Sequence, residues 1–315
     1  MKTAVNTALK SGLHAAREDV IAARKCKNIN DPIDTYVVDY VAMVFSKLFI
    51  MLHIIPNAIT MLSMVCGVSG GILLCMKPLY LNLIGLGLVI LAAVFDACDG
   101  QVARMTKHFS RLGRMLDGLS DATGYFTLYL ACVIRLLPRS PFAQAGWWYA
   151  FVILLGLADY LLYIRQCQLP DYFKNLHMYM LDDSIHTDLT RAKDVKAEAQ
   201  AAKKGSFDHF SLWCYYLYTI TQEKRAPQTQ KLLDAIGQKG KTPALCDAFY
   251  EKSKVYVLLT NLLTFNLRTI VLMIGIFLHL ELIGMLFVIV VLEPIRWILL
   301  RKYENLSRSL LPMLR

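Results

Sequence analysis

Six stretches of this chain stay largely apolar for about 20 residues or more, near 57–76, 79–105, 114–138, 145–169, 255–279 and 280–300. No other feature limits the fold so strongly. In hydrocarbon every backbone N–H and C=O must find its partner within the protein, and runs of this length suit helices rather than barrel strands. Lys77-Pro78, Pro138-Arg139-Ser140-Pro141 and the polar joint from His279 to Glu281 punctuate them. Hydrophobic residues make up 56% of the 315 positions, charged ones only 18%, and mean hydropathy is +0.43. Those values exclude a disordered chain and argue against an ordinary soluble enzyme. The expected fold is an all-α integral membrane protein with six transmembrane helices.

Charge orients these spans. The chain carries 34 Lys and Arg against 24 Asp and Glu, a net +10. The N-terminal region, the 104–114 turn, the 165–254 segment and the tail from 296 hold 30 of the 34 basic residues; the opposite loops hold Lys77, Arg135 and Arg139. The positive-inside tendency therefore puts both termini in the cytoplasm, in a bacterial inner membrane or its equivalent. This basic excess is assigned to cytoplasmic loops, with no nucleic acid as partner. The eight cysteines show no paired spacing, and they read as reduced thiols rather than disulfides or zinc ligands. Residues 1–30 are polar and lack the apolar core of a cleavable signal peptide.

Two further segments flank the spans. Residues 31–55 begin with Asp31 as a helix cap and Pro32 as the first helical residue. The apolar run from Tyr36 to Leu52 is interrupted by Asp39 and Lys47, which suits a helix lying in the membrane interface better than one crossing it. Residues 170–254 form a cytoplasmic insert between the fourth and fifth spans. Its first half, around Asp188 to Gly205, is charged and alanine-rich and predicts a solvated helix. Its second half gathers Phe207, Phe210, Trp213, Tyr215, Tyr216 and Tyr218, which suit either the headgroup layer or a small core of the insert's own. The domain boundaries follow: 1–30, the interfacial helix 31–55, spans one to four over 56–169, the insert 170–254, spans five and six over 255–300, and the tail 301–315.

The chemistry concentrates in 96–121, which reads Asp96-x2-Asp99-Gly100-x2-Ala103-Arg104-x8-Gly113-x3-Asp117-x3-Asp121. Asp96 and Asp99 stand three apart and Asp117 and Asp121 four apart, so each pair shares one helix face. The short polar turn near Lys107–Leu112 makes the two helices antiparallel neighbours whose faces can meet. An aspartate near the bilayer centre costs roughly 2.5–3.5 kcal/mol on insertion scales, and four together also repel. Protonation, the nearby Arg104, Arg111 and Arg114, or divalent cations must offset that cost. Oxygen-only ligands favour hard ions such as Mg²⁺ or Mn²⁺, which also bridge phosphate oxygens. A solvated ion-pair cluster is the competing reading; two paired motifs at helix ends with small residues between them favour the ion site.

This motif resembles the signature of the CDP-alcohol phosphotransferase (phosphatidyltransferase) family without a departure, and Pro56-Asn57-x2-Thr60 is similar to a second, weaker family feature. The resemblance covers roughly 31–300 apart from the insert. It implies an enzyme of phospholipid biosynthesis that transfers a substituted phosphate from a CDP-activated lipid, such as CDP-diacylglycerol, to a small alcohol or phospho-alcohol, releasing CMP. It implies two divalent ions and a homodimer. Carried over, Asp96, Asp99, Asp117 and Asp121 hold the metals, and Asp121 is also the general base. Gly100 and Ala103 permit close approach of the nucleotide, Arg104 holds a phosphate, and Gly113 joins them. Asn57 and Thr60 read equally as a helix cap and as nucleotide contacts. For the acceptor, Arg165, Asn261 and Arg268 are the candidates, with inositol phosphate or glycerol phosphate in view. Arg165 and Arg296 read alternatively as positive-inside anchors, and Arg268 alternatively as a partner of Asp159. Gly67 and Gly71 read as close helix packing.

Three other readings compete. A CDP-choline or CDP-ethanolamine phosphotransferase would carry the CDP group on the small alcohol. An intramembrane prenyltransferase would place its acidic motifs in separate halves of the chain. A transporter would line a path through the bilayer rather than cluster its polar groups at one rim.

Overall fold

The computed structural model describes residue 20 and residues 31–138, 145–181 and 189–314, apart from the side chains of Arg111, Arg114 and Phe207. Cys26, Arg139, His186 and most of the polar segment 1–30 fall outside the described residues. Every regular element among the described residues is helical. The chain divides into two compact units, Met1–Ile134 and Arg135–Arg315.

In the first unit, a widened turn at Asp34–Val38 leads into α1 (Asp39–Met51), followed by α2 (Pro56–Leu74), α3 (Leu79–Thr106) and α4 (Arg111–Leu136). The Asp31 cap holds: its Oδ1 accepts the Ile33 N–H at 2.8 Å, next to Pro32. Pro56 likewise opens α2, where its missing N–H costs nothing. Ala42, Phe49, Ile59, Cys66, Val94, Phe95, Cys98 and Val102 form the core that joins α1, α2 and α3. Phe45 and Phe49 of α1 meet Phe95 edge-on, with ring centroids 5.7 and 5.6 Å apart.

Glycine sets the helix spacing. A Cβ on Gly70 would sit 2.8 Å from the Gly85 carbonyl oxygen of α3, and one on Gly71 would collide with Thr127 of α4. Gly67 packs less tightly: a Cβ there would lie 3.6 Å from Gly124 Cα and from Ala92 Cβ, an ordinary van der Waals contact. Lipid provides no hydrophobic drive for helix association, so this close approach supplies the packing energy. The expected packing role of Gly67 and Gly71 is what the structure displays.

The second unit contains α5 (Gly146–Leu181), α6 (Ala192–Ala201), α7 (Phe207–Arg225), α8 (Pro227–Lys239), α9 (Pro243–Thr260), α10 (Phe265–Leu278), α11 (Glu281–Phe287) and α12 (Glu293–Leu310). A short 3-10 turn at Asn261–Leu263 joins α9 to α10, and a widened turn at Val288–Leu292 joins α11 to α12. The fourth span overruns its expected end. Pro170 lies inside α5, and the helix continues to Leu181 before the described chain breaks off.

Among the described residues, five helical stretches are long and apolar enough to cross a membrane: Pro56–Leu74, Leu79–Thr106, Gly146–Leu181, Pro243–Leu278 and Glu281–Leu314. The protein is thus an all-α, multi-pass integral membrane protein. The expected third span corresponds to α4, which is not among these five, although its 26 residues reach about 39 Å at 1.5 Å per residue. Its first half carries the motif's Arg, Asp, Gly and Ser residues, so it is less apolar than the other five. Large apolar side chains such as Val65, Leu83, Ile90, Leu154, Ile274 and Val290 point outward, as lipid-facing positions require.

The insert builds its own packing. Ala192, Val195 and Ala199 of α6 are buried at three- and four-residue spacing, so this helix is solvated on one side only. The aromatic half divides: Tyr218 donates to Asp171 Oδ2 at 2.9 Å and Tyr215 to Thr190 Oγ1 at 3.2 Å, whereas Phe210 and Leu217 are exposed.

Candidate active site

The chain reverses direction between α3 and α4 in four residues. Lys107 adopts the left-handed conformation (φ 55°) and closes α3, with the His108 N–H donating to the Ala103 carbonyl at 3.0 Å. Ser110 then opens α4, its Oγ accepting the Gly113 N–H at 2.9 Å. Asn57, in the first turn of α2, accepts from the same Ser110 hydroxyl at 3.3 Å. A Cβ at position 113 would lie 2.8 Å from Asn57 Oδ1 and 2.9 Å from Ser110 Oγ, so glycine is needed where these elements meet.

This turn brings the acidic faces together. One carboxylate oxygen from each of Asp96, Asp99 and Asp117 lies within 4.8 Å of the other two. Asp96 and Asp99 are half-buried, whereas Asp117 is exposed, so the cluster is walled on one side and open on the other. Asp121 stands outside this three-oxygen group, half-buried and within electrostatic reach of Asp96, Asp99 and Asp117. The four-carboxylate set of the sequence thus becomes a triad with a neighbour.

The polar surroundings fix the triad's geometry. Thr60 donates to Asp99 Oδ2 at 2.5 Å, which sets that carboxylate's orientation from α2. Gln101 of the motif accepts from Ser46 at 3.0 Å and donates to the Asp39 carbonyl at 3.0 Å, fastening α3 to α1 at the level of the cluster. Asp96 Oδ1 is buried with no hydrogen-bond partner among the described residues. Three convergent carboxylates, one of them with a buried oxygen that lacks a hydrogen-bond partner among the described residues, fit a small divalent cation better than a self-contained ion-pair cluster. A Cβ on Gly118 would meet nothing within 4 Å, so there is open space beside Asp117.

Other expected site residues take more structural roles. The Arg104 guanidinium folds across Gly100, where an added Cβ would sit 3.1 Å from Nη1, and it lies within electrostatic reach of Asp39 and Asp99. Gly100 therefore makes room first for Arg104. The Ala103 carbonyl belongs to the helix cap. Asn57 secures the α3–α4 turn rather than capping its own helix, and Ser110, Ser46 and Gln101 went unnoticed in the sequence. Ser110 had a readable signal, a serine three residues before Gly113 at the start of a helix.

The acceptor candidates all lie in the second unit. Arg268 is fully buried, donating to Gln166 Oε1 and, at 3.2 Å, to Cys167 Sγ, with Cζ 5.0 Å from the Tyr163 ring centroid. It acts on Asp159 only through space. Both Asp159 oxygens are buried without a hydrogen bond among the described residues, so the suggested direct pair is not formed. Asn261 is buried, and its carbonyl accepts from Thr264 in the α9–α10 turn. Arg165 is exposed. Arg296 corrects the anchor reading: it is 4% exposed and paired with Glu293 at 2.5 Å. Arg135, assigned to an outer loop, forms a buried pair with Glu281 at 3.1 Å.

Comparison with known proteins falls on the same region. The family model described as CDP-alcohol phosphatidyltransferase matches residues 53–173, which contain the whole acidic motif. CDP-diacylglycerol–serine O-phosphatidyltransferases of Mycobacterium bovis and of two strains of Mycobacterium tuberculosis are each 32% identical over 114 residues. The alignment covers 35% of this chain and only 38% of the length of each relative. No solved structure gives a significant match. The motif and the family model coincide on one stretch of helices: residues 53–173, which hold the whole acidic motif, are similar to the CDP-alcohol phosphatidyltransferase family.

Proposed function

We propose that the Asp96–Asp99–Asp117 cluster is the centre of a metal-dependent phosphatidyl transfer from a CDP-activated lipid, CDP-diacylglycerol by preference, to a small alcohol. The carrying observation is the convergence of the three carboxylate oxygens within 4.8 Å, on the two motif helices of the matched region. Asp96, Asp99 and Asp117 would hold Mg²⁺ or Mn²⁺, which when bound neutralises and polarises the diphosphate.

The rest of the reaction falls to the chain's own residues. Thr60 holds the Asp99 carboxylate in one orientation, and the glycine-lined approach beside Asp117 admits the diphosphate. Asp121, close to the triad but outside it, accepts the proton of the acceptor hydroxyl. The acceptor oxygen bonds to the lipid-linked phosphorus as the bond to CMP breaks, and CMP leaves with the electron pair. Catalysis of this kind is chiefly positioning and charge neutralisation. The active site and both termini face the cytoplasm on this reading, because basic residues gather on that side.

Serine is one acceptor, favoured by what the mycobacterial relatives are named for. A phosphorylated polyol is the second, favoured by the arginines of the second unit. Purified full-length protein with CDP-diacylglycerol and Mn²⁺ should release CMP on addition of serine, glycerol phosphate or inositol phosphate. Absence of CMP release with every acceptor would overturn the reading, as would release undiminished in Asp99→Asn.

A further inference from the structure

The motif helix α3 has two faces, and only one of them is acidic. Asp96, Asp99, Gly100 and Ala103 recur at three- and four-residue spacing along the side that meets Asp117. Phe95, Cys98 and Val102, at the places between, belong to the core shared with α1 and α2. Gln101, 2% exposed, lies on that side too.

Polar contacts as well as packing tie this second face to α1. Cys98 Sγ donates to the Ala42 carbonyl at 3.2 Å. Ser46 Oγ donates to Gln101 Oε1 at 3.0 Å, with the Cys98 carbonyl also in reach at 3.4 Å. Gln101 Nε2 donates to the Asp39 carbonyl at 3.0 Å. A carbonyl can only accept, so one orientation of the amide satisfies Asp39 and Ser46 together. The Asp39 side chain adds a tie through space, because Arg104, folded across Gly100, feels it together with Asp99.

A buried amide is a costly way to join two helices. Ser46 is fully buried and Gln101 nearly so, in a core where leucine would pack without the desolvation of polar atoms. What the pair adds over leucine is register: apolar surfaces tolerate sliding and turning, whereas an amide bonded at both ends accepts one alignment. Register matters at this place. A shift of one residue along a helix is about 1.5 Å of translation and about 100° of rotation. It would carry Asp99 off the face that meets Asp117, and a fraction of it would open a cluster whose oxygens lie within 4.8 Å.

We infer that Gln101 and Ser46 are positioning residues of the acidic cluster: through them α1 sets where α3 stands, and so how far Asp96 and Asp99 lie from Asp117. The inference rests on the proposed reading of that cluster as a divalent-metal centre. Neither side chain faces the cluster; each acts through the backbone of α3.

Mn²⁺ binding to full-length protein in neutral detergent, followed by the EPR signal of the free ion and without substrate, tests it. Gln101→Leu roughly keeps the volume and should raise the Mn²⁺ dissociation constant about tenfold, the lower end of the roughly 10–100-fold expected of outer partners. Its melting temperature without Mn²⁺ should stay that of the unaltered protein, since the Ser46 hydroxyl can turn to the Cys98 carbonyl. Ser46→Ala should weaken binding by less, and the double variant should be no worse than Gln101→Leu alone, as expected of two residues acting as one unit. Should Gln101→Leu fail to fold, Ser46→Ala decides alone. Ser63→Ala is the control. It deletes another buried hydroxyl between neighbouring helices, one that donates to the Ala92 carbonyl at 2.8 Å, and should leave Mn²⁺ affinity unchanged. Asp99→Asn, run in parallel, separates the positioning role from the metal reading itself. If it abolishes Mn²⁺ binding while Gln101→Leu and Ser46→Ala bind like the unaltered protein, the positioning role is overturned and the metal centre stands. Affinity that falls only in step with melting temperature, or equally in Ser63→Ala, overturns it as well. No Mn²⁺ binding by the unaltered protein overturns both.

Discussion

The two units use charge in opposite ways. In the first, three acidic oxygens crowd within 4.8 Å on two helices joined by a four-residue turn. In the second, three arginines come from positions 165, 225 and 296 to line one cleft. The acidic cluster is local: a helical repeat of three or four residues and one reversal suffice to build it. The basic cleft depends on long-range contacts, chiefly the Glu304 carboxylate of α12, which accepts the Gln228 and Thr229 N–H groups at the start of α8, beside Arg225. One arrangement follows from a short motif, and the other from how an insert packs on the helices that flank it.

The largest expected effect separates the two directly. Asp99→Asn, or chelation of divalent metal, should reduce CMP release on the order of 10³-fold, since metal charge stabilisation is worth several kcal/mol. Arg225→Gln, in the basic cleft, should leave Mn²⁺ affinity at the acidic cluster unchanged. A fall in that affinity would show the two regions to be one site.

Asp121→Asn should also abolish turnover, but leave CMP binding largely intact, because that residue stands outside the three-oxygen group. Parallel measurement of CMP affinity and product formation separates base from ligand; loss of both would make Asp121 a fourth metal ligand. Thr60→Val removes only the hydrogen bond that orients Asp99. It should lower turnover roughly tenfold and raise the Mn²⁺ concentration needed for half-maximal rate, in keeping with the 10–100-fold effect of outer partners on metal affinity. The smallest effect belongs to Ser110→Ala, which deletes the α4 cap and should cost about 1 kcal/mol of stability. A thermal melt of the purified protein reads it.

The acidic motif was legible because its spacing encodes its geometry. Residues three and four apart on a helix share a face wherever that helix sits, so Asp96 with Asp99 and Asp117 with Asp121 could be paired from the string. The Asp31–Pro32 start and the Gly67–Gly71 packing were readable for the same local reason. Arg104 and Asn57 were harder. Whether a guanidinium reaches a ligand or folds over Gly100 depends on a rotamer and its surroundings, and Asn57 meets Ser110 only after the α3–α4 turn closes.

The second unit exposes the limit more clearly. Arg296 looked like a surface anchor because basic residues at span ends usually are, and nothing near it in sequence announced the cleft. Arg135 looked like a loop charge until Glu281, 146 residues away, was found against it. Sequence alone determined the membrane class, the approximate spans and the acidic faces, since hydropathy and helical periodicity act over one or two turns. Tertiary structure decided which carboxylates converge, what Thr60 and Arg104 touch, and that the insert carries an arginine to Arg165 and Arg296. Those outcomes depend on contacts between segments far apart in the chain, whose partners are chosen by packing rather than by spacing.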